Sequence, residues 1–462
     1  MMDAALERTP IPGLVVLQLQ VRSDSRGWFK ENWQRAKMTG LGLPDFGPVQ
    51  NNVSFNLHRG VTRGIHAEPW DKFVSVATGR VFAAWVDMRA GDTFGTTFHV
   101  EIDPTVAVFV PRGVGNAYQT LEDDTAYIYL VNEHWRPGVS YPALDLGDPT
   151  CVIPWPIPLE KSEVSEKDRN NPPLDGVSAM APKKTLVLGA QGQLGRALAA
   201  EFPEAHAVGR GELDVTDSDQ VEQWPWHEYD AVLNAAAYTA VDDAESPQGR
   251  LTSWATNAQA PATLARLARE HHFTLVHYSS DYVFDGTAEQ HTEADPVSPL
   301  GVYGQTKAAG DIAVATAPRH YLLRSSWVVG DGNNFVRTIA SLADRDASPS
   351  VVDDQVGRLT FTTELSRATR YLLATGAAYG TYNLSNAGPA TSWAQLAKTV
   401  FALCGRDEDD VTPISTEEYA AGKILAPRPR NSLLDLAKIE GAGFEPESAI
   451  VALGRYLDNS RA

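Results

Sequence analysis

Two patterns of hydrophobic and polar residues follow one another along the chain. Between residues 22 and 155, short runs of β-branched and aromatic residues, such as 73–88, 106–111 and 125–131, are separated by Gly, Pro and Asp. Closely spaced strands without long helical repeats are typical of a sandwich or barrel. The pattern therefore predicts an all-β first half.

The second half alternates apolar strands with helical repeats. Apolar runs at 185–190, 230–237 and 273–279 predict buried strands, whereas 193–202 and 254–271 predict helices. Strand and helix in alternation indicate a parallel sheet with crossover helices. We therefore predict a doubly wound, Rossmann-like sheet with a smaller substrate-binding part.

A polar and charged segment separates these two patterns. Residues 160–184 contain Pro, Asn, Lys and Asp in place of apolar runs, a composition typical of linkers. Part of this segment can still belong to the β half. The predicted domains are residues 1–172 and 183–462, with a linker at 173–182.

Composition limits the partners that the chain is expected to bind. Its 462 residues include 39 Lys and Arg but 58 Asp and Glu, so the formal net charge is −19, of which −5 falls in residues 1–172. Nucleic acids and anionic membranes bind basic surfaces, so neither is an expected partner. No apolar run approaches a membrane span and no signal peptide is visible, so we expect a cytoplasmic protein. The two cysteines are too few for a disulfide framework or a four-thiolate metal site.

A glycine-rich turn follows the first strand of the second half. Glycines in such a turn let the backbone approach a pyrophosphate, and the helix that follows supplies amide donors. The cofactor-binding candidates here are Gly189, Gln191, Gly192, Gln193, Leu194 and Gly195. Asp214 is a candidate near the cofactor or a surface aspartate, and Arg210 either meets a 2′-phosphate, which would favour NADPH over NADH, or is a surface arginine.

Tyr303 and Lys307 are spaced four residues apart in a predicted helix. At this spacing the phenol and the ammonium share one face, so the cation can lower the pKa of the phenol and prepare it for proton transfer. Ser280 and Asp281 follow an apolar strand at the edge where open α/β sheets bind ligands. The Ser280 hydroxyl could there donate a hydrogen bond to a substrate carbonyl.

These motifs resemble the extended short-chain dehydrogenases, specifically the dTDP-4-dehydrorhamnose reductase family. The matching motifs are GQLG (192–195), NAAAYTAVDDAE (234–245), SSDYVFDG (279–286), YGQTK (303–307), RSSWV (324–328), NNF (333–335), DQVG (354–357) and RPRNSLLD (428–435). The resemblance implies NAD(P)H-dependent reduction of the C4 ketone of a nucleotide-linked 6-deoxysugar.

The same resemblance assigns roles to individual residues. It implies that Tyr303 donates the proton, supported by Lys307 and Ser280. Further implied contacts are Ala235 and Ala236 with the cofactor, and Asp281, Trp327 and Arg428 with the substrate. Family members can carry a glutamate that helps to hold Mg²⁺ where this chain has Ala197, so Mg²⁺ binding by this half stays open.

The first half has four histidines and lacks the His-x-His cluster of a metal-binding β-barrel, so no metal is expected there. His66 alone would be a structural histidine as readily as a catalytic one. Its surroundings, however, resemble the dTDP-4-dehydrorhamnose 3,5-epimerase family over residues 11–174. The motifs are DSRGWFKE (24–31), QNNVS (50–54), TRGIH (62–66), DK (71–72), VPRGVGNAY (110–118), IYL (128–130), DPTCVIPWP (148–156) and SEKD (165–168).

This second resemblance implies a cupin-type jelly roll and a set of site residues. His66 would be the base, oriented by Asp168, with Tyr129 as the acid on the opposite face and Lys72 near the enolate oxygen. The implied substrate contacts are Arg26, Glu31, Gln50, Asn52, Arg63, Asn116 and Lys167. The family typically has a histidine at Asn116 and a glutamate at Ser140. A homodimer formed through the β domain is also implied by the resemblance.

The leading hypothesis is a bifunctional enzyme of dTDP-L-rhamnose synthesis, because two adjacent segments resemble consecutive enzymes of one pathway. It would epimerise dTDP-4-dehydro-6-deoxy-D-glucose at C3 and C5 and then reduce C4 with NAD(P)H. Two alternatives stay open. The β domain could be a non-catalytic sugar-binding or dimerisation module, or both reactions could act on another nucleotide-linked deoxysugar.

Overall fold

The computed structural model describes residues 6–134 and 141–461. The backbone forms two compact units, one ending at Pro182 and the other beginning at Lys183. Each unit has hydrophobic clusters of its own, as independent domains require. Within the described ranges, no helix is both long and apolar enough to cross a membrane.

The first unit consists of thirteen described strands and two short α-helices. They are β1 (Leu6–Arg8), β2 (Val15–Gln18), β3 (Val21–Asp24), β4 (Gly27–Lys30), α1 (Arg35–Gly40), β5 (Gln50–Asn56), β6 (Val61–His66), β7 (Lys72–Thr78), β8 (Val81–Asp87), β9 (Thr97–Ile102), β10 (Val106–Val110), β11 (Val114–Thr120), β12 (Thr125–Val131), β13 (Glu163–Val164) and α2 (Glu166–Arg169). Two 3₁₀ turns, Leu159–Lys161 and Leu174–Gly176, complete the regular elements described there.

These strands form a sandwich of two sheets, which confirms the predicted cupin-type jelly roll. One sheet has the order β1-β2-β10-β7-β12-β5 and the other β13-β6-β11-β8-β9. Neighbouring strands are antiparallel except for the short β13, which runs parallel to β6. Strands β3 and β4 pair only with each other in the described structure and form a separate hairpin.

The main core of the first unit includes Val74, Trp85 and Tyr127, all buried. Additional clusters form around β7 and β8, for example where Met38 of α1 lies in a cluster with Phe73. Every residue of β8 is buried. This explains why the strand reads as a continuous apolar run and not as an alternating one.

The segment predicted as a linker contacts the first unit. The Met180 amide donates to the Met88 carbonyl at 2.8 Å, and the Ala90 amide donates to the Met180 carbonyl at 2.9 Å. The Arg112 guanidinium donates to the Ala181 carbonyl at 3.0 Å. These bonds fix the path of the chain immediately before the second unit begins.

The second unit contains the remaining elements, in chain order. They are β14 (Lys184–Leu188), α3 (Gln193–Glu201), β15 (His206–Val208), α4 (Ser218–Gln223), β16 (Tyr229–Asn234), α5 (Pro247–Trp254), α6 (Ala260–His271), β17 (Thr274–Ser280), α7 (Val302–Val314), β18 (His320–Ser325), β19 (Val328–Val329), α8 (Phe335–Asp344), β20 (Ser350–Val352), β21 (Val356–Gly357), β22 (Thr360–Phe361), α9 (Thr362–Thr375), β23 (Gly380–Leu384), β24 (Thr391–Ser392), α10 (Trp393–Leu403), β25 (Thr412–Ile414), α11 (Thr416–Ala420), α12 (Ala437–Gly441) and α13 (Ala449–Arg461). Short 3₁₀ turns occur at Trp226–Glu228, Asp243–Glu245, Asp281–Val283 and Glu408–Asp410.

A six-stranded parallel sheet, in the order β15-β14-β16-β17-β18-β23, is the centre of this unit. Leu264 of α6 and Val314 of α7 belong to one apolar cluster against the sheet, and Leu198 of α3 and Leu365 of α9 belong to another. Helices on both sheet faces confirm the doubly wound fold class. The strand order reverses between β14 and β16, and ligands of open α/β sheets bind at such a switch point.

A smaller lobe is built from helices α8, α10 and α13. Ile339, Phe401 and Leu453 contribute to its apolar cluster. Three short strand pairs, β19 with β22, β20 with β25 and β21 with β24, belong to this region. The lobe contributes Trp393 and Phe335 to a cavity that is described below.

One helix of the second unit differs from the sequence prediction. It begins at Pro247, seven residues before the predicted start, because the Ser246 hydroxyl accepts the Gly249 amide at 3.0 Å and caps it. It contains a π-helical segment, Ala255–Gln259, between α5 and α6. Within that segment, the Asn257 side chain bonds both backbone groups of Tyr238 at 2.9 Å and the Thr306 hydroxyl of α7 at 3.3 Å.

Candidate active sites

His66 and Asp168 form the centre of a polar cluster in the first unit. His66 ends β6, and its Nε2 lies 2.8 Å from Oδ1 of Asp168 in α2. The Asp168 carboxylate also accepts the Gly64 amide at 3.4 Å, and the Ser165 hydroxyl caps α2 beneath it. Because an ionised carboxylate can only accept, Nε2 carries the proton and Nδ1 has the free lone pair of a base.

The environment of Asp168 supports this ionisation. Burial acts to raise its pKa, but the hydrogen bond and charge of His66 together with the hydrogen bonds of Gly64 and Ser165 outweigh burial, so the pKa of Asp168 lies below its ordinary value. The Asp168 side chain is 6% exposed and that of His66 is 25% exposed. The imidazole can therefore meet a solute while its partner is protected from solvent.

Lys72 and Glu68 form a buried ion pair in the same unit. The Lys72 ammonium lies 6.0 Å from the ring centroid of Tyr129. Burial, and then the negative charge of Glu68, raise the pKa of Tyr129 to about 12. The phenol of Tyr129 therefore keeps its proton at neutral pH, as an acid must before it donates.

Tyr141 connects the two pairs. Its ring centroid lies 6.3 Å from that of His66, and the Lys167 ammonium lies 5.9 Å from it. Burial and the charges of Glu68 and Asp168 raise the pKa of Tyr141. His66, Lys72, Tyr129 and Lys167 thus share neighbours, although they come from separate parts of the sequence.

The remaining predicted substrate contacts of this unit divide into two groups. Strands β5, β6 and β11 carry Gln50, Asn52, Arg63 and Asn116. Asn52 pairs with Tyr129 and Asn116 pairs with His66 across their sheets, so these two lie beside the cluster. The Gln50 side chain donates to Asn52 at 2.8 Å, and the Arg63 guanidinium donates to the Asn56 side chain at 3.0 Å.

Arg26 and Glu31 form the second group, at and after the β3–β4 hairpin. Arg26 pairs with Asp24, and Glu31 pairs with Lys37, all on the surface. Within residues 6–134 and 141–461, no described hydrogen bond or ion pair joins Arg26 or Glu31 to the His66 cluster. Ser140 lies outside the described residues.

The glycine turn after β14 is shaped for a close backbone approach. Gly189 has a φ of +72°, and a methyl group added there would lie 2.7 Å from the Ala236 amide nitrogen. A methyl at Gly195 would collide with the Gly189 carbonyl oxygen. The backbone therefore has no side chains in the way where α3 begins at Gln193. We call the turn from Gly189 to Gly195 the glycine cradle, and its shape fits the phosphates of a dinucleotide.

The other cofactor candidates lie around this cradle. Leu194 and Ala235 line a cavity beside it. The Gln193 side chain accepts the Gly330 amide at 3.0 Å and donates to the Asn333 carbonyl at 2.9 Å, so it ties the turn to the smaller lobe. Gln191 packs against Gly209 at the end of the neighbouring strand.

Asp214 and Arg210 form an ion pair, with 2.8 Å between Nε and Oδ2. Asp214 also accepts the amide and hydroxyl of Thr216 at 2.9 and 2.7 Å. Burial acts to raise its pKa, but the bonds from Thr216 and Arg210 outweigh burial and lower it. Asp214 is not among the residues that line the cavity described next.

A cavity of about 480 Å³ lies at the carboxyl ends of the sheet strands. Its lining includes Gly192, Ser280, Asp281, Tyr303, Lys307 and Trp327. The volume falls within the range typical of ligand sites. Residues predicted separately for cofactor, catalysis and substrate thus line one cavity.

Burial sets the protonation of the Tyr303 and Lys307 pair. Burial lowers the pKa of Lys307 to about 8, and the ammonium donates to the Tyr278 carbonyl at 2.6 Å. Burial, followed by the charge of Asp281, raises the pKa of Tyr303, whereas a hydrogen bond with Ser280 acts in the opposite direction. The expectation that Lys307 lowers the pKa of Tyr303 was therefore wrong for this structure, because burial and the charge of Asp281 dominate and the phenol keeps its proton.

Ser280 and Asp281 end β17 beside that phenol. The Ser280 hydroxyl donates to Asp281 at 2.9 Å and accepts the Tyr282 amide at 3.2 Å. Burial raises the pKa of Asp281 to about 6. At the rim, Arg428 donates to Asp242 at 2.8 Å, and Asp242 neighbours the cavity residue Val241.

Comparison with known proteins gives each unit a family. Residues 8–176 match the family model of dTDP-4-dehydrorhamnose 3,5-epimerase, and residues 183–462 match that of the RmlD substrate binding domain. An RmlC homologue of Streptococcus pyogenes is 46% identical over 187 residues, which span 39% of this chain and 94% of that protein. The chain belongs to both families.

Relatives of the second unit include named reductases, one of them with a structure that contains a cofactor. The dTDP-4-dehydrorhamnose reductase of Aggregatibacter actinomycetemcomitans is 35% identical over 296 residues, or 60% of this chain and 98% of that protein. The structure of the Bacillus anthracis reductase in complex with NADP is 32% identical, covers 60% of this chain and 99% of its own, and has a TM-score of 0.56. We refer below to the epimerase-family unit and the reductase-family unit.

Several residues of the two sites were not singled out from the sequence. In the epimerase-family unit they are Glu68 and Tyr141, and the position of Glu68 between His66 and Lys72 was the available signal. In the reductase-family unit it is Trp393, which lines the cavity with Trp327 and with Phe335 of the NNF motif. No local signal marked Trp393, because its place depends on the pairing of β21 with β24, which are distant in sequence.

Proposed function

We propose that this chain is a bifunctional enzyme that converts dTDP-4-dehydro-6-deoxy-D-glucose to dTDP-L-rhamnose. The observation that supports it is that each unit brings candidate acid–base groups together: the His66–Asp168 pair, in the same unit as Tyr129, and the cavity lined by Tyr303, Lys307 and Ser280. The two units belong to families whose names describe an epimerase and a reductase of dTDP-4-dehydrorhamnose.

In the proposed epimerisation, Nδ1 of His66 removes a ring proton next to the C4 ketone. Asp168 stabilises the imidazolium that forms, because its carboxylate is ionised and within 2.8 Å. The Lys72 ammonium stabilises the enolate oxygen, and Tyr129 returns a proton from the opposite face. His66 then loses its proton and Tyr129 regains one through solvent, so the substrate changes only its configuration.

In the proposed reduction, the backbone turn formed by Gly189, Gly192 and Gly195 would hold NADPH, which would supply a hydride to C4 when bound. Tyr303 donates its proton to the carbonyl oxygen, and the Ser280 hydroxyl turns from Asp281 to donate its single proton in a hydrogen bond to the same atom. The Lys307 ammonium stabilises the phenolate that Tyr303 becomes. The ketone thus gains one hydride and one proton to form the alcohol.

Cofactor oxidation tests the complete sequence. The full chain is incubated with dTDP-4-dehydro-6-deoxy-D-glucose and NADPH without a separate epimerase, and the product is identified by NMR. We expect NADPH consumption and dTDP-L-rhamnose. Reduction only of substrate that a separate epimerase has already inverted would contradict the bifunctional proposal. A better turnover of another nucleotide-linked deoxysugar would change the substrate but keep the chemistry.

Deuterium uptake tests the epimerase-family unit by itself. In heavy water without NADPH, the intact chain should exchange the hydrogens at C3 and C5 of the same substrate. The absence of exchange would favour a non-catalytic binding or dimerisation module, the alternative suggested by Asn116 in place of the usual histidine. Exchange at one carbon only would restrict the reaction to a single inversion.

We further propose that the epimerase-family unit forms a homodimer. Val53, Phe55 and Leu57 are 63%, 54% and 61% exposed, and lie at alternating positions on and just after the edge strand β5. Successive alternate residues face the same side of a sheet, so they form one apolar strip. Analytical ultracentrifugation should show a dimer that dissociates in V53S/F55S, whereas an unchanged mass for this variant would contradict the proposal.

A further inference from the structure

A stacked pair of tryptophans forms part of the cavity wall in the reductase-family unit. The ring centroids of Trp327 and Trp393 are 3.6 Å apart, and the ring planes differ by 16°. Phe335 packs on Trp393 with centroids 4.5 Å apart. All three line the cavity that contains Tyr303 and Ser280. Half-buried aromatic faces in a cavity are typical ligand contacts.

Trp327 is held in its position from two sides. Its φ of +45° is a conformation that non-glycine residues rarely adopt. A methyl group at Gly357 would lie 2.7 Å from Cε2 of the Trp327 indole, so the ring packs directly on this glycine. Strand pairing places Gly357 opposite Thr391, two residues before Trp393. One short sheet thus supplies both the stacked partner and the space for the indole.

The sheet register places Trp327 near the proton donors. Ser325 pairs with Ser280 across neighbouring parallel strands, and Trp327 follows two residues later. Ser280, Tyr303 and Trp327 also line the same cavity. A substrate carbonyl bonded to Ser280 therefore brings its own ring near the indole. The base of a nucleotide sugar is separated from that carbonyl by the ribose and two phosphates.

We propose that Trp393 and Gly357 are positioning residues that hold the Trp327 indole against the hexose ring of the nucleotide sugar. This inference rests on the proposed function of the reductase-family unit. The C–H face of a 6-deoxyhexose is apolar, and the flat indole is complementary to it. Trp393 holds Trp327 by stacking on its indole. Gly357 leaves room for that indole because it has no side chain.

The test uses the full chain in the reverse reaction, oxidation of dTDP-L-rhamnose with NADP⁺, which needs only the reductase-family unit. Trp393→Leu and Gly357→Ala should raise the KM for dTDP-L-rhamnose roughly three- to tenfold, the range expected for a lost aromatic contact. The kcat, the KM for NADP⁺ and the inhibition constant of dTDP should not change. Trp393→Phe should restore the KM because it keeps a stacked ring. Trp254→Leu, a tryptophan substitution on α5 outside the cavity, is the matched control.

Circular dichroism gives a second readout, because two stacked indoles produce a paired exciton band. Trp393→Leu should abolish this band, whereas Trp254→Leu should keep it. A lost band with an unchanged KM would overturn the proposal. A parallel rise in the dTDP inhibition constant would also overturn it, because it would show that the tryptophan pair contacts the nucleotide base and not the hexose. If Trp393→Leu does not fold, Gly357→Ala provides the same comparison.

Failure of the proposed function is distinguishable from failure of this inference. If the unmodified chain does not oxidise dTDP-L-rhamnose, the reductase proposal fails. Calorimetry with dTDP-L-rhamnose and with dTDP then still tests whether the tryptophan pair contacts the hexose. A weaker affinity of Gly357→Ala for the sugar nucleotide alone supports the inference, and equal affinities overturn it.

Discussion

The two units differ in how the fold arranges their candidate acid–base residues. In the epimerase-family unit, His66 and Asp168 come from elements about a hundred residues apart and meet through one hydrogen bond of 2.8 Å. In the reductase-family unit, Tyr303 and Lys307 lie one helical turn apart, with Lys307 buried and Tyr303 half-buried. Tertiary structure brings the two residues of the first pair together, whereas in the second pair it shields Lys307 from water.

This difference determines what controls ionisation in each site. Burial acts on Asp168 as well, but His66, Gly64 and Ser165 together outweigh it and keep the pKa of the carboxyl low. Burial dominates at Lys307 and lowers its pKa to about 8. The epimerase-family site should therefore be sensitive to loss of a partner, and the reductase-family site to pH and to solvent entry.

The largest expected effect is a reciprocal loss of the two activities. His66→Ala should reduce deuterium exchange by about 10²- to 10⁴-fold, and Tyr303→Phe should reduce NADPH oxidation with pre-epimerised substrate by a similar factor, because each removes an acid–base group. Each variant should keep the other activity. A loss of both activities in either variant would show that the two sites are not independent.

The next effect concerns the glycine cradle. Gly189→Ala places a methyl 2.7 Å from the Ala236 amide nitrogen and at a positive φ, so the turn must shift. Overpacking of about 1–3 kcal/mol corresponds to a roughly 5- to 150-fold weaker NADP⁺ affinity, measurable by calorimetry. The matched control is Gly211→Ala, where a methyl meets no atom within 4 Å. Equal affinities for both variants would contradict the assignment of the cradle.

A smaller effect is expected from pH. Lys307 is protonated below a pKa of about 8 and neutral above it, and only the cation stabilises a Tyr303 phenolate. The kcat/KM for reduction should therefore fall as pH rises through about 8, by up to about tenfold per further pH unit. Lys307→Arg should move this decline in kcat/KM to higher pH, because the guanidinium stays protonated. The same decline of kcat/KM with pH in the variant would show that a group other than Lys307 causes it.

The smallest effect is expected at Tyr129. Burial raises the pKa of this phenol first, and the Glu68 carboxylate raises it further. Glu68→Gln removes that charge, so the pKa of Tyr129 should fall while burial keeps it above its ordinary value. Ultraviolet titration with Tyr129→Phe as the reference measures the shift. An unchanged or higher pKa would show that the Glu68 charge does not act on the phenol.

The sequence was most informative where chemistry and local geometry coincide. The spacing of Tyr303 and Lys307 and the turn from Gly189 to Gly195 depend on one helix and one turn, so their arrangement could be read from a few residues. The fold classes were also readable, because β7 and β8 form one apolar run and the second half alternates strand with helix. Both fold classes are confirmed.

Information was missing where packing joins distant segments. The early start of α5 at Pro247 was missed because the helix begins with polar residues, although Ser246 and Pro247 form a recognisable cap. Glu68 and Trp393 depend on loop paths and on short strand pairs that no periodicity predicts. The roles of the individual site residues stay predictions until variants are measured.

The π-helical segment Ala255–Gln259 shows what one extra residue can hold in place. Such a turn accommodates an additional residue without ending the helix, and here it brings the amide of Asn257 to Tyr238 on one side and Thr306 on the other. Removing a single residue would return the helix to regular geometry and rotate that amide away from both. A one-residue deletion in this segment would therefore loosen both α7 and the loop that carries Tyr238, although neither is part of the helix itself.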